Sequence, residues 1–159
     1  MQVNELMATD VVTVGRNDDL RLVDDIMAER RVRHIPVVED GALVGLVTQR
    51  DVFKAQMSST MGYGEKGQRA FLHAVLVKEI MTHPVLTIEP ETSVAEAADL
   101  MIDQGIGCLP VMQDGELIGI VTKTNLLQRL RTLSTKDHES EYHSDKTRVQ
   151  RGLPNVMPY

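Results

Sequence analysis

The feature of this chain that most constrains its fold is an internal repeat. Residues 5–55 align with residues 79–129 at a constant shift of 74 positions and without a gap. The match is densest where DGALVGLVT at 40–48 meets DGELIGIVT at 114–122. A register kept over this length indicates a tandem duplication, so we expect one structural unit to occur twice.

Both copies predict the same order of elements. A short β-branched run indicates a strand, helically spaced apolar residues indicate a helix, two further strands flank an Asp-Gly turn, and a helical pattern returns after a threonine. In chain order these features are VVTV (11–14), Leu20 to about Arg31, Asp40-Gly41 and Thr48, repeated as VLTI (85–88), Val94 to about Gln104, Asp114-Gly115 and Thr122.

Each copy is therefore a βαββα motif of about 50 residues, too small to bury its sheet face alone. We predict an α+β fold, α/β-like in its alternation, in which two such motifs pack sheet to sheet about a pseudo-two-fold axis. The predicted organisation is a first motif at 1–58, a linker with a helix at 59–76, a second motif at 77–133 and a polar C-terminal tail at 134–159.

The linker carries two patterns. QRAFLHAVLVKEIM (68–81) predicts one helix that runs into the second motif. GYGEKG at 62–67 spells G-x-G-x-x-G, but a dinucleotide site needs a strand before the glycines, and a polar helix end precedes them here. We interpret these glycines as linker.

Composition narrows the classes of function. The formal charge of −6 and the pI near 5.3 disfavour nucleic acid as a partner, because phosphate binding needs a clustered basic face. The start of the chain lacks the pattern of a signal peptide, and no apolar run approaches the roughly 20 residues of a membrane span. Cys108 is the single cysteine. We expect a cytoplasmic protein that does not contact a membrane.

No residues suggest catalysis. The histidines form no metal-ligand cluster with carboxylates or cysteine, and no nucleophile stands beside a base, so we expect no enzyme and no required cofactor. The histidines in question are His34, His73, His83, His138 and His143.

Three segments resemble the CBS-domain family, whose tandem pairs form the Bateman module. They are EIMTHPVLTI at 79–88, HIPVVEDG at 34–41 and GLVTQRD at 45–51, and the resemblance covers roughly residues 3–132. It implies two clefts between the motifs, each lined by the first two strands and a Gly-hydrophobic-x-Ser/Thr-x-x-Asp signature. We call the clefts at Thr48 and Thr122 the first and second cleft.

The signature is complete in the first cleft. Thr48 ends a strand and begins a helix, so its hydroxyl can meet a phosphate or ribose oxygen, and Asp51 one turn later can accept two ribose hydroxyls. Arg50 lies between them. Arg33, just before the second strand of the first copy, could meet phosphate, although a solvated helix end is an equal alternative. Thr48 could also be a simple N-cap and Asp51 a first-turn acid.

The second cleft departs from the signature. Asn125 stands where the acid is expected, so the cleft offers one acceptor oxygen and no charge beside Thr122. Lys123 could compensate by meeting phosphate. The alternative is a degenerate pocket that is kept for packing.

The remaining cleft candidates are apolar or small residues that suit the faces of a purine, and ordinary core is the alternative for most of them. They are Val11, Thr13, His34, Ile35 and Pro36 in the first copy and Val85, Thr87, Cys108, Leu109 and Pro110 in the second.

These observations predict a regulatory sensor that binds an adenine nucleotide (AMP, ADP or ATP) or a related adenosyl ligand and signals to an effector protein whose identity is open. The alternative is an interaction scaffold with degenerate clefts. The resemblance implies a homodimer, for which the helix faces Leu20–Met27 and Val94–Met101 are the expected apolar surfaces, and we expect the tail to support association.

Overall fold

The structure is a computed structural model that describes residues 1–59 and 64–134. The predicted tail beyond Ser134, with His138 and His143, lies outside the described residues, as does the start of the G-x-G-x-x-G run.

Two β-hairpins and their flanking helices make up the described chain. The strands are β1 (His34–Glu39), β2 (Ala42–Thr48), β3 (Cys108–Gln113) and β4 (Glu116–Thr122). The helices are α1 (Leu20–Arg30), α2 (Gln49–Ser59), α3 (Glu65–Ala74), α4 (Val77–Ile80), α5 (Val94–Asp103) and α6 over 123–134, and a 3-10 turn spans Val3–Glu5.

Both hairpins turn at the predicted Asp-Gly pairs. Asp40 and Gly41 have φ of 50° and 80°, and Asp114 and Gly115 have φ of 52° and 83°. Positive φ at both central residues is the geometry of a type I′ turn, which matches the twist of the paired strands. The register then places His34 opposite Thr48 and Cys108 opposite Thr122, so the strand before each cleft and the signature threonine are neighbours.

The predicted helices α1 and α5 are confirmed, but their apolar faces are not available for a dimer. Asp19 caps α1 by accepting the N–H of Leu22 at 2.9 Å. Apart from the half-buried Val94, the side chains of α1 and α5 that carry the apolar pattern are buried in the core of their own motif. They are Leu20, Val23 and Met27 in α1 and Ala97 and Met101 in α5. The expectation that these faces need a second chain to cover them was therefore wrong.

The first predicted strand of each motif is reduced to one residue. Val14 donates to the carbonyl of Pro36 at 3.1 Å and accepts from Val38 at 2.9 Å, forming a parallel bridge beside β1. Ile88 makes the same bridge beside β3. The runs shorten because Val11 and Val85 leave the sheet edge and pack between the motifs.

The two motifs meet through their sheets, as predicted. Leu46, Cys108 and Ile120 form a buried cluster between the hairpins, and Val11 and Val85 pack against it. Leu46 and Ile120 are equivalent positions of β2 and β4. This confirms the α+β fold of two motifs packed sheet to sheet about a pseudo-two-fold axis.

The segment before the first helix of each motif pairs with the other motif. The repeat in the sequence did not predict this exchange. Ala8, before the first motif's helix, exchanges two 2.9 Å hydrogen bonds with Ile120 of β4. Thr82 makes the equivalent pair with Leu46 of β2, at 2.9 and 3.1 Å. Val3 is consequently buried in the second core and Val77 in the first, so the cores complete each other.

Two glycines make this exchange possible. A Cβ on Gly45 would overlap the Sδ of Met81, and a Cβ on Gly119 would lie 2.6 Å from the Sδ of Met7. The exchanged segments therefore approach β2 and β4 more closely than any side chain would allow.

The predicted linker helix is broken. α3 ends at Ala74 because Val75 is extended, with φ −98° and ψ 125°, and α4 begins at Val77. Val75 accepts from the N–H of Leu20 at 3.0 Å, and the N–H of Val77 donates to Asp18 at 2.8 Å. Pairing with the start of α1 replaces the helical hydrogen bonds at this point.

Candidate functional site

The first cleft is built on the junction of β2 and α2. The N–H and Oγ of Thr48 both donate to Asp51 Oδ2, at 2.9 and 2.7 Å, and the N–H of Asp51 donates back to Thr48 Oγ1 at 3.3 Å. This reciprocal cap begins α2. Asp51 Oδ1 makes no hydrogen bond to any residue in 1–59 or 64–134, so one carboxylate oxygen remains as an acceptor.

The second cleft has the same cap with an amide in place of the acid. The N–H and Oγ of Thr122 donate to Asn125 Oδ1 at 2.9 and 2.6 Å, and the N–H of Asn125 donates to Thr122 Oγ1 at 3.3 Å. Because both partners are donors, the oxygen of the amide must face Thr122. Nδ2, a donor, makes no hydrogen bond to any described residue in 1–59 or 64–134.

Asp51 also borders an open depression of about 260 Å³. Lys54, Ala55 and Ser58 extend it along α2, and Ile80 of α4 closes one side. Its volume is near the lower end of small-molecule pockets, which begin at roughly 300 Å³. The depression thus places a carboxylate and an ammonium group beside an aliphatic wall.

Arg33 and His34, at the start of β1, lie against residues of the second motif. Arg33 Nη2 donates to Thr124 Oγ1 at 3.3 Å, and the ring of His34 lies against Gly107, where an added Cβ would be 3.1 Å from Nε2. Partial burial lowers the pKa of His34, Arg33 lowers it further, and Asp51 opposes both effects. His34, Arg33 and Asp51 therefore share one electrostatic environment.

The other predicted residues divide by exposure. Val11 and Val85 are half-buried between the motifs, and Thr13 and Thr87 are exposed. Arg50 and Lys123 are exposed at the first turns of α2 and α6. Their role in ligand binding stays a prediction.

The remaining predicted side chains are buried. Ile35 and Leu109 are fully buried in the motif cores, and the carbonyls of Pro36 and Pro110 bond Val14 and Ile88. Burial raises the pKa of the Cys108 thiol to about 12. In this conformation, Ile35 and Leu109 can offer a ligand no side-chain atom.

Apart from Asp51, the residues that line the depression were not predicted from the sequence. Lys54, Ala55 and Ser58 follow Asp51 at three, four and seven positions, the spacing of one helix face. That spacing could have identified them once α2 was predicted. Ile80 could not have been found, because the linker was expected to continue as one helix.

Within 1–59 and 64–134, no group of His, Cys, Asp and Glu side chains could hold a metal ion. Over the same residues, no helix is both long and apolar enough to span a bilayer.

The fold and the two capped helix starts define a tandem pair of βαββα motifs with a candidate cleft at each signature. The family model for the CBS domain matches residues 3–58 and 77–132. The chain belongs to the CBS-domain family.

Curated relatives share the pair but are longer. A 33.4 kDa protein encoded in a ribosomal RNA operon of Thermofilum pendens is 34% identical over 131 residues, which cover 82% of this chain and 44% of that protein. Inosine-5'-monophosphate dehydrogenase of Korarchaeum cryptofilum is 35% identical over 132 residues, 82% of this chain and 25% of the enzyme. The chain thus spans less than half of either relative.

Solved structures share the fold over most of their length. A protein assigned to acetoin utilization (AcuB) from Vibrio cholerae has a TM-score of 0.71 and 28% identity, covering 87% of this chain and 96% of that one. The CBS pair of MJ0100, bound to 5'-methylthioadenosine and S-adenosylmethionine, has a TM-score of 0.70, 24% identity and coverages of 83% and 97%. CBSX2, bound to AMP, has a TM-score of 0.71, 23% identity and coverages of 84% and 98%.

Proposed function

We propose that this chain is a regulatory sensor whose first cleft binds an adenosyl ligand, such as AMP, ADP, ATP or an adenosyl thioether. The observation that carries the proposal is the remaining Oδ1 of Asp51, a residue that lines an open depression. An ionised carboxylate oxygen beside a cleft accepts hydroxyl donors strongly, and the ribose of an adenosyl ligand presents two.

Other features support this assignment. Lys54 in the depression and Arg33 and Arg50 at the strand and helix starts can meet the phosphates of a nucleotide, and the aliphatic walls suit a purine. The solved CBS pairs of MJ0100 and CBSX2 hold adenosyl ligands. Ligand binding between the motifs would favour one of their arrangements, which an effector protein in the cytoplasm would read.

The test compares the wild-type protein with Asp51→Asn. The second motif shows that an asparagine keeps the helix cap, so this variant removes the acceptor without removing the cap. In thermal unfolding, a nucleotide at 100 times its Kd should stabilise the wild type by about 2.7 kcal/mol. Calorimetry should show a loss of roughly 10- to 150-fold in affinity for Asp51→Asn, the value of a hydrogen bond to a charged group.

Two results would count against the sensor. If no adenosyl compound stabilises the wild type, the alternative of an interaction scaffold with degenerate clefts is favoured. If Asp51→Asn binds with wild-type affinity, Asp51 serves the helix cap alone.

We also propose that the protein acts as a homodimer through α2 and α6. Phe53 and Leu127 occupy equivalent positions in the two motifs and are 59% and 66% exposed, and Met57 and Leu130 lie close to them in sequence. Related patches on both motifs suit a symmetric contact with a second copy. Light scattering should show a dimer that Phe53→Asp with Leu127→Asp converts to a folded monomer, whereas Leu22→Asp, also at an exposed apolar residue, should leave it intact.

A further inference from the structure

The two caps leave chemically opposite groups for a ligand. In the first motif, Oδ2 of Asp51 serves the cap and the charged Oδ1 remains. In the second motif, the oxygen of Asn125 is used by two donors of Thr122, so Nδ2 remains. A ribose hydroxyl could donate to the first group, whereas the second group can bind only an acceptor, such as a hydroxyl oxygen or a phosphate oxygen.

The residues around Asn125 also differ from those around Asp51, and the difference again favours a negatively charged ligand group. One helical turn after it, the half-buried Arg129 stands where α2 has Ala55 in the wall of the depression. Arg129 Nε donates to Met1 Sδ at 3.3 Å, which holds the guanidinium beside the exchanged N-terminal segment. Gln128 replaces Lys54. The first depression thus carries one acid and one base, and the equivalent positions of the second motif carry a base alone.

We propose that the second cleft binds an adenosine ligand that carries a phosphate on its 2'- or 3'-oxygen. This inference rests on the proposed function, from which it takes the position of the ribose. The amide of Asn125 donates to the phosphate and the guanidinium of Arg129 neutralises it. In the first cleft, the negative Oδ1 of Asp51 would repel the same group. Under this proposal, the replacement of the signature aspartate by Asn125 changes which ligand the second cleft binds and does not abolish binding.

The test uses adenosine 3',5'-bisphosphate and adenosine 2',5'-bisphosphate, with AMP as the matched ligand that lacks the second phosphate. Asn125→Asp keeps the cap, because the first motif makes it with an aspartate. By calorimetry, this variant should bind at least one bisphosphate about 10-fold more weakly than the wild type does, the least expected for losing a charge-assisted hydrogen bond. Arg129→Ala should weaken the same ligand.

The reciprocal variant separates the two proposals. Asp51→Asn should weaken AMP and leave bisphosphate binding at the second cleft unchanged, whereas Asn125→Asp should weaken the bisphosphate and leave AMP binding at the first cleft unchanged. Equal bisphosphate affinity in wild type and Asn125→Asp, or no bisphosphate binding at all, overturns this inference even if AMP still responds to Asp51→Asn. If the bisphosphate responds to Asn125→Asp but AMP does not bind, the inference holds and the assignment of the first cleft fails.

Discussion

The two motifs build the same helix cap with different atoms, and this comparison separates structure from recognition. The three hydrogen bonds at Thr48 and Asp51 match those at Thr122 and Asn125 to within 0.1 Å. Either a carboxylate or an amide therefore satisfies the fold. Within 1–59 and 64–134, the caps leave Oδ1 unused in one motif and Nδ2 unused in the other, and we propose that these two atoms determine the ligand.

A second difference lies outside the clefts. α3 packs on α1 and α2 of the first motif, with Leu72 buried in that core and His73 Nδ1 2.9 Å from Asp19 Oδ2. Val52 is 2% exposed beneath it, whereas the equivalent Leu126 is only half-buried. The first motif thus has a better covered helical face, although both motifs share one hairpin geometry.

The largest effect on stability should come from the glycines at the segment exchange. Gly45→Ala forces a Cβ against Met81, and overpacking of this kind costs about 1 to 3 kcal/mol. Gly119→Ala should cost a similar amount through Met7. Urea denaturation measures both, and Gly15→Ala, where an added Cβ would meet only Asp18 at the ordinary contact distance of 3.4 Å, is the control. Unchanged stability in Gly45→Ala would mean that the exchanged segment does not lie against β2 in solution.

A smaller effect is expected from the caps. Asp51→Ala and Asn125→Ala should each lower the free energy of unfolding by about 1 kcal/mol, the usual cost of losing a helix cap. Asp51→Asn and Asn125→Asp should each remain close to the wild type. Chemical denaturation of the four variants checks this equivalence. A large loss in Asp51→Asn alone would show that the carboxylate has a structural role that the amide cannot fill.

The smallest effect on stability should come from pH. It concerns the position that His34 occupies in the first motif and Cys108 occupies in the second. Burial lowers the pKa of His34 below 6.5, so just below that pH the unfolded chain binds a proton that the folded chain does not. Stability should therefore fall as the pH drops through 6.5. Urea denaturation at pH 8.0, 6.5 and 5.5 should show this loss in the wild type and a weaker one in His34→Cys, which copies the second motif. Identical pH profiles would remove His34 as the cause.

The sequence by itself determined the repeat, the hairpins and the helix cap positions. Asp40-Gly41 and Asp114-Gly115 form the predicted turns because Asp and Gly tolerate the positive φ that a two-residue hairpin turn requires, and the spacing from Thr48 to Asp51 is that of a helix cap. The aligned signatures also identified Asn125 as the point of difference. These features are local, so the order of residues is sufficient to reveal them.

Tertiary structure decided what depends on contacts between distant residues. The run at 11–14 became a single bridge because Val11 packs between the motifs, and the linker helix broke where Val75 pairs with Leu20. The exchange of Val3 and Val77 between the cores followed from the approach of Met7 and Met81 to two glycines. Which atoms of Asp51 and Asn125 the caps use likewise became clear only from the folded structure, because residue type does not specify which hydrogen bonds a side chain makes.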